Sequence, residues 1–198
     1  MGEIRVVVDG AGGRMGRMIT ATVHGESGLT LAGAVDAPGS PAIGQDAGML
    51  AGVGDIGATV VDSLADVIET ADVVIEFTLP EATLANLRVA VKHGVPMVIA
   101  TTGFDAGQQE QLDDLTARIP CVMASNYSIG VNALAKAVSM MAETLGDPYD
   151  IEIIEAHHNQ KVDAPSGTAV TLLKAAADGV SRSVDDVAIY GREGIVGA

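Results

Sequence analysis

The 198-residue chain carries 26 Asp and Glu against 11 Lys and Arg, a formal charge of −15. That balance excludes a nucleic-acid surface, which needs clustered cations to neutralise phosphates. No run nears the roughly 20 apolar residues that cross a bilayer, and the strand-like IRVVVD comes too early to leave room for a secretory leader. One cysteine, Cys121, cannot form an internal disulfide, which fits a reducing, cytoplasmic compartment. Its neighbours CVMA mark it as a buried core thiol.

In chain order, short apolar runs at 4–8, 29–35, 73–77, 95–100 and 121–124, with a weaker one at 59–61, read as strands. Near-continuous Val and Ile suit strands buried on both faces. Between them lie helical patterns at 14–24, 63–69, 81–92 and 105–117, with Pro80 and Asp105 as start signals and Gly94 as a stop. Residues 38–57 form a Gly-rich loop. The alternation predicts right-handed βαβ units and a doubly wound parallel sheet of Rossmann type. After Tyr127 the pattern changes. A longer helix over 129–145 carries Leu134, Val138, Met141 and Leu145 on one stripe, and 149–154 alternates as a half-exposed strand of a different sheet. A boundary near 127 separates the two parts.

Four places can carry chemistry. DGAGGRMGR follows a strand and opens a helix, the context of a dinucleotide fingerprint, with its glycines fitting best at 10, 13 and 16. Asp36, ending the second strand, suits the ribose hydroxyls of NAD; Arg14 and Arg17 could meet a phosphate, which leaves NADH and NADPH both open. The strand ends contribute Thr78, Thr101, Thr102 and Asn126, where open α/β sheets bind ligands. Finally, EAHHNQKVDAPSGT sets His157, His158 and Lys161 before a helix start at Ser166-Gly167-Thr168. Cations beside unpaired helix N–H groups make an anion pocket on an acidic protein. Exposed loop residues with an ordinary Ser166 cap are the bland alternative. Zinc is another, with Glu155 and the histidines as ligands, but adjacent His residues lack metal-binding spacing and no Cys is near.

GAGGRMGR, FTLPEAT, ATTGF, SNYSIGVN and above all EAHHNQKVDAPSGTA closely resemble the dihydrodipicolinate reductase (4-hydroxy-tetrahydrodipicolinate reductase) family, in the family's order from residue 4 onward. The resemblance implies an enzyme of lysine and diaminopimelate biosynthesis. Such enzymes reduce dehydrated 4-hydroxy-tetrahydrodipicolinate, a small dicarboxylate, to tetrahydrodipicolinate with NADH or NADPH. It further implies a homotetramer, with a Rossmann domain over 1–127 and a smaller α+β substrate and tetramerisation domain over 128–198. By motif position His157 and Lys161 are the acid–base pair, while His158, Gly167 and Thr168 bind substrate. The cofactor segments are Gly10, Ala11, Gly12, Gly13, Arg14 and Met15; Asp36; Ala100, Thr101 and Thr102; and Ala124, Ser125, Asn126 and Tyr127. No metal is implied. Three departures stand out: Ala100 replaces a usual Gly, Asn159 and Gln160 replace basic residues, and the chain stops at GREGIVGA where the family continues. The second domain is therefore expected to be incomplete, and the chain poorly stable or inactive by itself. Two rivals remain. A semialdehyde or homoserine dehydrogenase is disfavoured, since the former needs a Cys nucleophile at a helix start, and a non-catalytic dinucleotide sensor would bind cofactor without turnover.

Overall fold

A computed structural model of the chain describes residues 2–159, 161, 163–195 and 197. It divides into two compact units, Met1–Ala124 and Ser125–Ala198.

The first unit is built on six parallel strands: β1 (Ile4–Asp9), β2 (Leu29–Val35), β3 (Val60–Val61), β4 (Val73–Glu76), β5 (Met97–Ile99) and β6 (Cys121–Met123). Their order, β3-β2-β1-β4-β5-β6, runs outward from β1 in both directions. The direction of winding therefore switches between β1 and β4, and the crevice beyond their carboxyl ends is where such sheets take ligands. Successive valines of β1 serve opposite faces. Val7 joins a core with Val74, Leu87, Ile99 and Leu112, while Val6 and Val8 join Val23, Ala34 and Val60. Burial on both faces is why the strand is uninterrupted Val in sequence. At its start, Arg5 donates from Nη2 to Asp72 Oδ1 at 2.9 Å, and these bonds hold the Asp72 carboxyl down at about 2.

The helices follow their local signals. Helix α1 (Arg14–Gly25) opens after the Gly-rich turn, and α2 (Ala47–Ala51) is a short helix inside the Gly-rich loop, capped by Asp46. Pro80 is itself the first residue of α3 (Pro80–His93), which Gly94 ends in a left-handed conformation. Asp105 and Gln108 form a reciprocal capping box for α4 (Ala106–Thr116). The helix expected over 63–69 is instead two 3₁₀ turns, Leu64–Asp66 and Ile68–Thr70. Leu64 and Ile68 are both buried anchors, but Val67 between them packs over Gly33 with φ −125°, which breaks the helical ladder. Cys121 is only half-buried, because β6 is the sheet edge with Val122 and Met123 exposed. Partial burial pushes its thiol up.

The second unit pairs α5 (Ile129–Leu145) with α6 (Gly167–Gly179), followed by a short α7 (Val184–Val187). A two-stranded antiparallel sheet joins β7 (Asp163–Ala164) to β8 (Gly194–Ile195). The helices meet through small residues: a Cβ on Gly179 would lie 2.9 Å from the Ala142 methyl. That close approach leaves the expected core stripe at the flank, with Leu134, Met141 and Leu145 each about half exposed. The strand expected over 149–154 is not formed. The segment finds no ladder partner among the described residues, and Ile154 is 90% exposed. A strand exists only through its neighbour, so alternation alone could not create it.

Candidate functional site

In the first unit the Gly-rich turn is a cradle that side chains would fill. Gly10 has φ +85°, and a Cβ there would strike the Phe77 carbonyl oxygen. A Cβ on Gly12 would run into the Asp36 carboxylate and come 2.7 Å from the Ala42 methyl. One on Gly16 would hit the Gly10 carbonyl and sit 2.7 Å from Ala11 Cα. Gly13 is more forgiving, its nearest neighbour being Gly10 O at 3.2 Å. The demanding glycines are thus 10, 12 and 16 rather than 10, 13 and 16, since tertiary neighbours decide which Cβ has room. Gly13 is the N-cap of α1 and offers no capping side chain, so the first-turn N–H groups remain for an anion. Arg14 and Met15 lie exposed beside them, while Ala11 is buried beneath. Arg17 turns back to donate to Gly12 O at 2.9 Å.

Asp36 stands at the end of β2. Its carboxylate accepts from Gly12 N at 2.9 Å, Ala37 N at 2.8 Å and Ser40 Oγ at 3.1 Å, which fixes it beside the turn. Glycine cradle, open helix terminus and strand-end acid together fit a dinucleotide: pyrophosphate on the N–H groups, ribose hydroxyls on the acid. Ala100 is half-buried, Thr101 buried and Thr102 exposed at the end of β5.

Two buried acids near these loops went unnoticed in the sequence. Asp9 and Glu76 are register partners on β1 and β4, 2% and 0% exposed. Burial, first, and the neighbouring Glu76 push the Asp9 carboxyl up to about 7, against a 2.6 Å hydrogen bond from Asn86 Nδ2. Each acid ends an otherwise apolar strand, and that charge at the end of a two-face-buried run was the available signal.

In the second unit, residues from three distant segments gather at the N-terminus of α6. Ser166 caps the helix by accepting from Ala169 N at 3.1 Å. Glu155 Oε1 accepts from Ser166 N at 2.8 Å, and its Oε2 lies 3.4 Å from His157 Nδ1. Hydrogen bonding from Ser166, hydroxyl first and backbone second, holds the Glu155 carboxyl below its usual value. Glu155, weighed in the sequence only as a zinc ligand, thus lies beside His157. Among the described residues no three His, Cys, Asp or Glu side chains gather as a metal set.

Asn126 Oδ1 accepts from Ser128 N at 2.8 Å, which directs its Nδ2 to Thr168 Oγ1 at 3.1 Å. Ser125 Oγ and Thr171 Oγ1 are 3.0 Å apart. Ser125 and Asn126, within the segment 124–127 expected to bind cofactor, therefore touch α6. Tyr127 is 38% exposed. A cavity of about 190 Å³ is lined by Glu155, His157, Ser166 and Thr168, with Ile153 and Leu172 among its apolar walls. Gly167 is exposed at the helix start. His158 and Lys161 belong to one turn, with Lys161 N donating to His158 O at 3.2 Å. Gln160, one of the expected departures, lies outside the described residues.

Comparison with known proteins bears on both units. Residues 4–127 match the family model "Dihydrodipicolinate reductase, N-terminus" and residues 130–195 its C-terminal counterpart. The 4-hydroxy-tetrahydrodipicolinate reductase of Magnetococcus marinus is 51% identical over 195 residues, covering 98% of this chain and 73% of that protein. That of Acinetobacter baumannii is 49% identical over 193 residues, covering 98% and 70%. A dipicolinate-bound dihydrodipicolinate reductase from Paenisporosarcina sp. TG-14 superposes with a TM-score of 0.68 at 30% identity, covering 89% of this chain and 66% of that one. The chain thus spans about 70% of the length of these relatives. It belongs to the dihydrodipicolinate reductase family, oxidoreductases that use NADH or NADPH.

Proposed function

We propose that the chain carries out the NAD(P)H-dependent reduction of dehydrated 4-hydroxy-tetrahydrodipicolinate to tetrahydrodipicolinate, a cytoplasmic step of lysine and diaminopimelate biosynthesis, as a homotetramer. The observation that carries this reading is the α6 N-terminus, where Glu155, His157, Ser166 and Thr168 surround one cavity. Gly167 and Thr168 offer the first-turn N–H groups to a substrate carboxylate, which the helix dipole favours. The dinucleotide, when bound, supplies hydride to an electron-poor ring carbon. Negative charge then moves toward the ring nitrogen, where a cationic side chain stabilises it. His157, oriented through Nδ1 by Glu155, and Lys161 move the proton that completes the reduction, and His158 contacts substrate. Gly10–Met15 and Asp36 hold the adenosine and pyrophosphate half, with Ala100–Thr102 and Ala124–Tyr127 toward the nicotinamide. No helix among the described residues is long and apolar enough to cross a membrane.

The test follows NADH and NADPH oxidation with freshly generated substrate, for this chain and for one extended at its C-terminus. Substrate-dependent oxidation by the extended chain is expected. Its absence in both, with NADH still bound, would favour a non-catalytic dinucleotide binder.

A further inference from the structure

Glu76 is an acidic residue at the end of a buried strand, 0% exposed, beside Asp9 in a mainly aliphatic core. Burying a carboxylate is costly unless hydrogen bonds replace its water. Here one oxygen receives nearly all of them. Glu76 Oε1 accepts from Thr78 N at 2.7 Å, Thr101 Oγ1 at 2.6 Å and Thr83 Oγ1 at 2.9 Å, and also from the Thr78 hydroxyl. Thr78 N is shared with Thr101 Oγ1 at 3.0 Å. The other oxygen, Oε2, is buried with no hydrogen-bond partner. So lopsided an arrangement serves poorly as general stabilisation, since an apolar residue of similar volume would avoid the orphaned oxygen.

What the single oxygen does is join three places: the loop after β4 through Thr78, the first turns of α3 through Thr83, and the loop after β5 through Thr101. Both loops lie at the carboxyl edge of the sheet, on the half beyond the switch point from the Gly-rich turn and Asp36. In such sheets that half receives the nicotinamide end of a dinucleotide. We infer that Glu76 is a positioning residue that locks the loops after β4 and β5 into one arrangement for the nicotinamide half of the cofactor. It acts through Thr78 and Thr101, and the inference rests on the dinucleotide reading above. A donor network closed on one acceptor fixes loop geometry before the cofactor arrives, so less ordering is left to binding.

The test measures dissociation constants of NADH and of ADP on the intact chain, for the parent, Glu76→Met, Glu76→Gln and Thr83→Val. Methionine keeps the volume and removes the acceptor; glutamine restores one. Losing the acceptor is expected to weaken NADH about tenfold while ADP, which occupies only the adenosine half, changes less than about twofold. Glutamine should recover most of the loss. Thr83→Val, which removes one donor to Glu76 from α3 and leaves the acceptor in place, should weaken NADH about threefold with the same ADP indifference. A purely structural role would lower the melting temperature and move both ligands together or neither. Equal NADH affinity in folded Glu76→Met overturns the inference; should that variant not fold, equal affinity in Thr83→Val does so. A parent that binds neither NADH nor ADP removes the dinucleotide reading itself, and this inference with it.

Discussion

The two units solve the problem of burial in opposite ways. In the first, large aliphatic side chains such as Leu64, Ile68, Leu87, Ile99 and Leu112 are fully buried on the two faces of one sheet. In the second, the buried apolar residues among those described are Ala142, Ala169, Ala176 and Ala177, while Ile129, Ile154, Ile189 and Ile195 are all more than 80% exposed. Apolar burial drives folding roughly in proportion to area. The first unit therefore buries large aliphatic side chains, whereas the described part of the second packs through small residues. The glycine cradle follows β1 of that sheet, where Gly10, Gly12 and Gly16 leave no room for a Cβ. His157 and Lys161, the proposed acid–base pair, lie outside helix and strand.

That division can be broken most severely at the chemistry. His157→Ala and Lys161→Ala should each lower turnover about a hundred- to a thousandfold, the usual worth of general acid–base groups. NADH affinity should stay within about twofold, since neither residue belongs to the segments proposed to hold the cofactor. Loss of NADH binding in either variant would mean that the labour is not divided in this way.

Stability offers the next contrast. Leu87→Ala, in the first core, should cost about 2–5 kcal/mol in urea melts, whereas Ile154→Ala, 90% exposed, should change stability by less than about 0.5. Comparable losses at the two sites would show the comparison to be mistaken.

Asp9 tests how far the first unit departs from an apolar core. Its folded value of about 7 lies above the ordinary 3.8. Between those values only the folded state keeps the proton, so stability falls as pH rises from about 4 to about 7 and changes little beyond. The full effect is at most about 4 kcal/mol, from about 1.4 per tenfold in proton affinity. Asp9→Asn should flatten that part of the stability profile and gain most above pH 7; parallel profiles would assign the titration elsewhere. A smaller loss is expected at the α6 cap, where Ser166→Ala should cost about 1 kcal/mol and remove the hydroxyl's bond to Glu155. Native-state exchange of the amides of residues 167–170 would register it.

The sequence by itself determined the parallel sheet, because strands buried on both faces must be near-continuous Val and Ile, and that requirement is local. It also determined the helix starts at Pro80, Asp105 and Ser166, where the ring of the first and the capping side chains of the other two act locally. The helix start that closes EAHHNQKVDAPSGT was legible for the same reason, since Ser166 caps it within the motif itself. Only the tertiary structure decided that Gly12 matters more than Gly13, since Ala42 and Asp36 come from another loop. It also decided that 149–154 is no strand among the described residues, and that Leu134, Met141 and Leu145 flank the α5–α6 contact. Glu76 belongs to this second group. Its acceptor role depends on donors two, seven and twenty-five residues away, which no local pattern in the strand VVIE reveals. Periodicity reports which face a residue takes; only the folded chain supplies what that face meets.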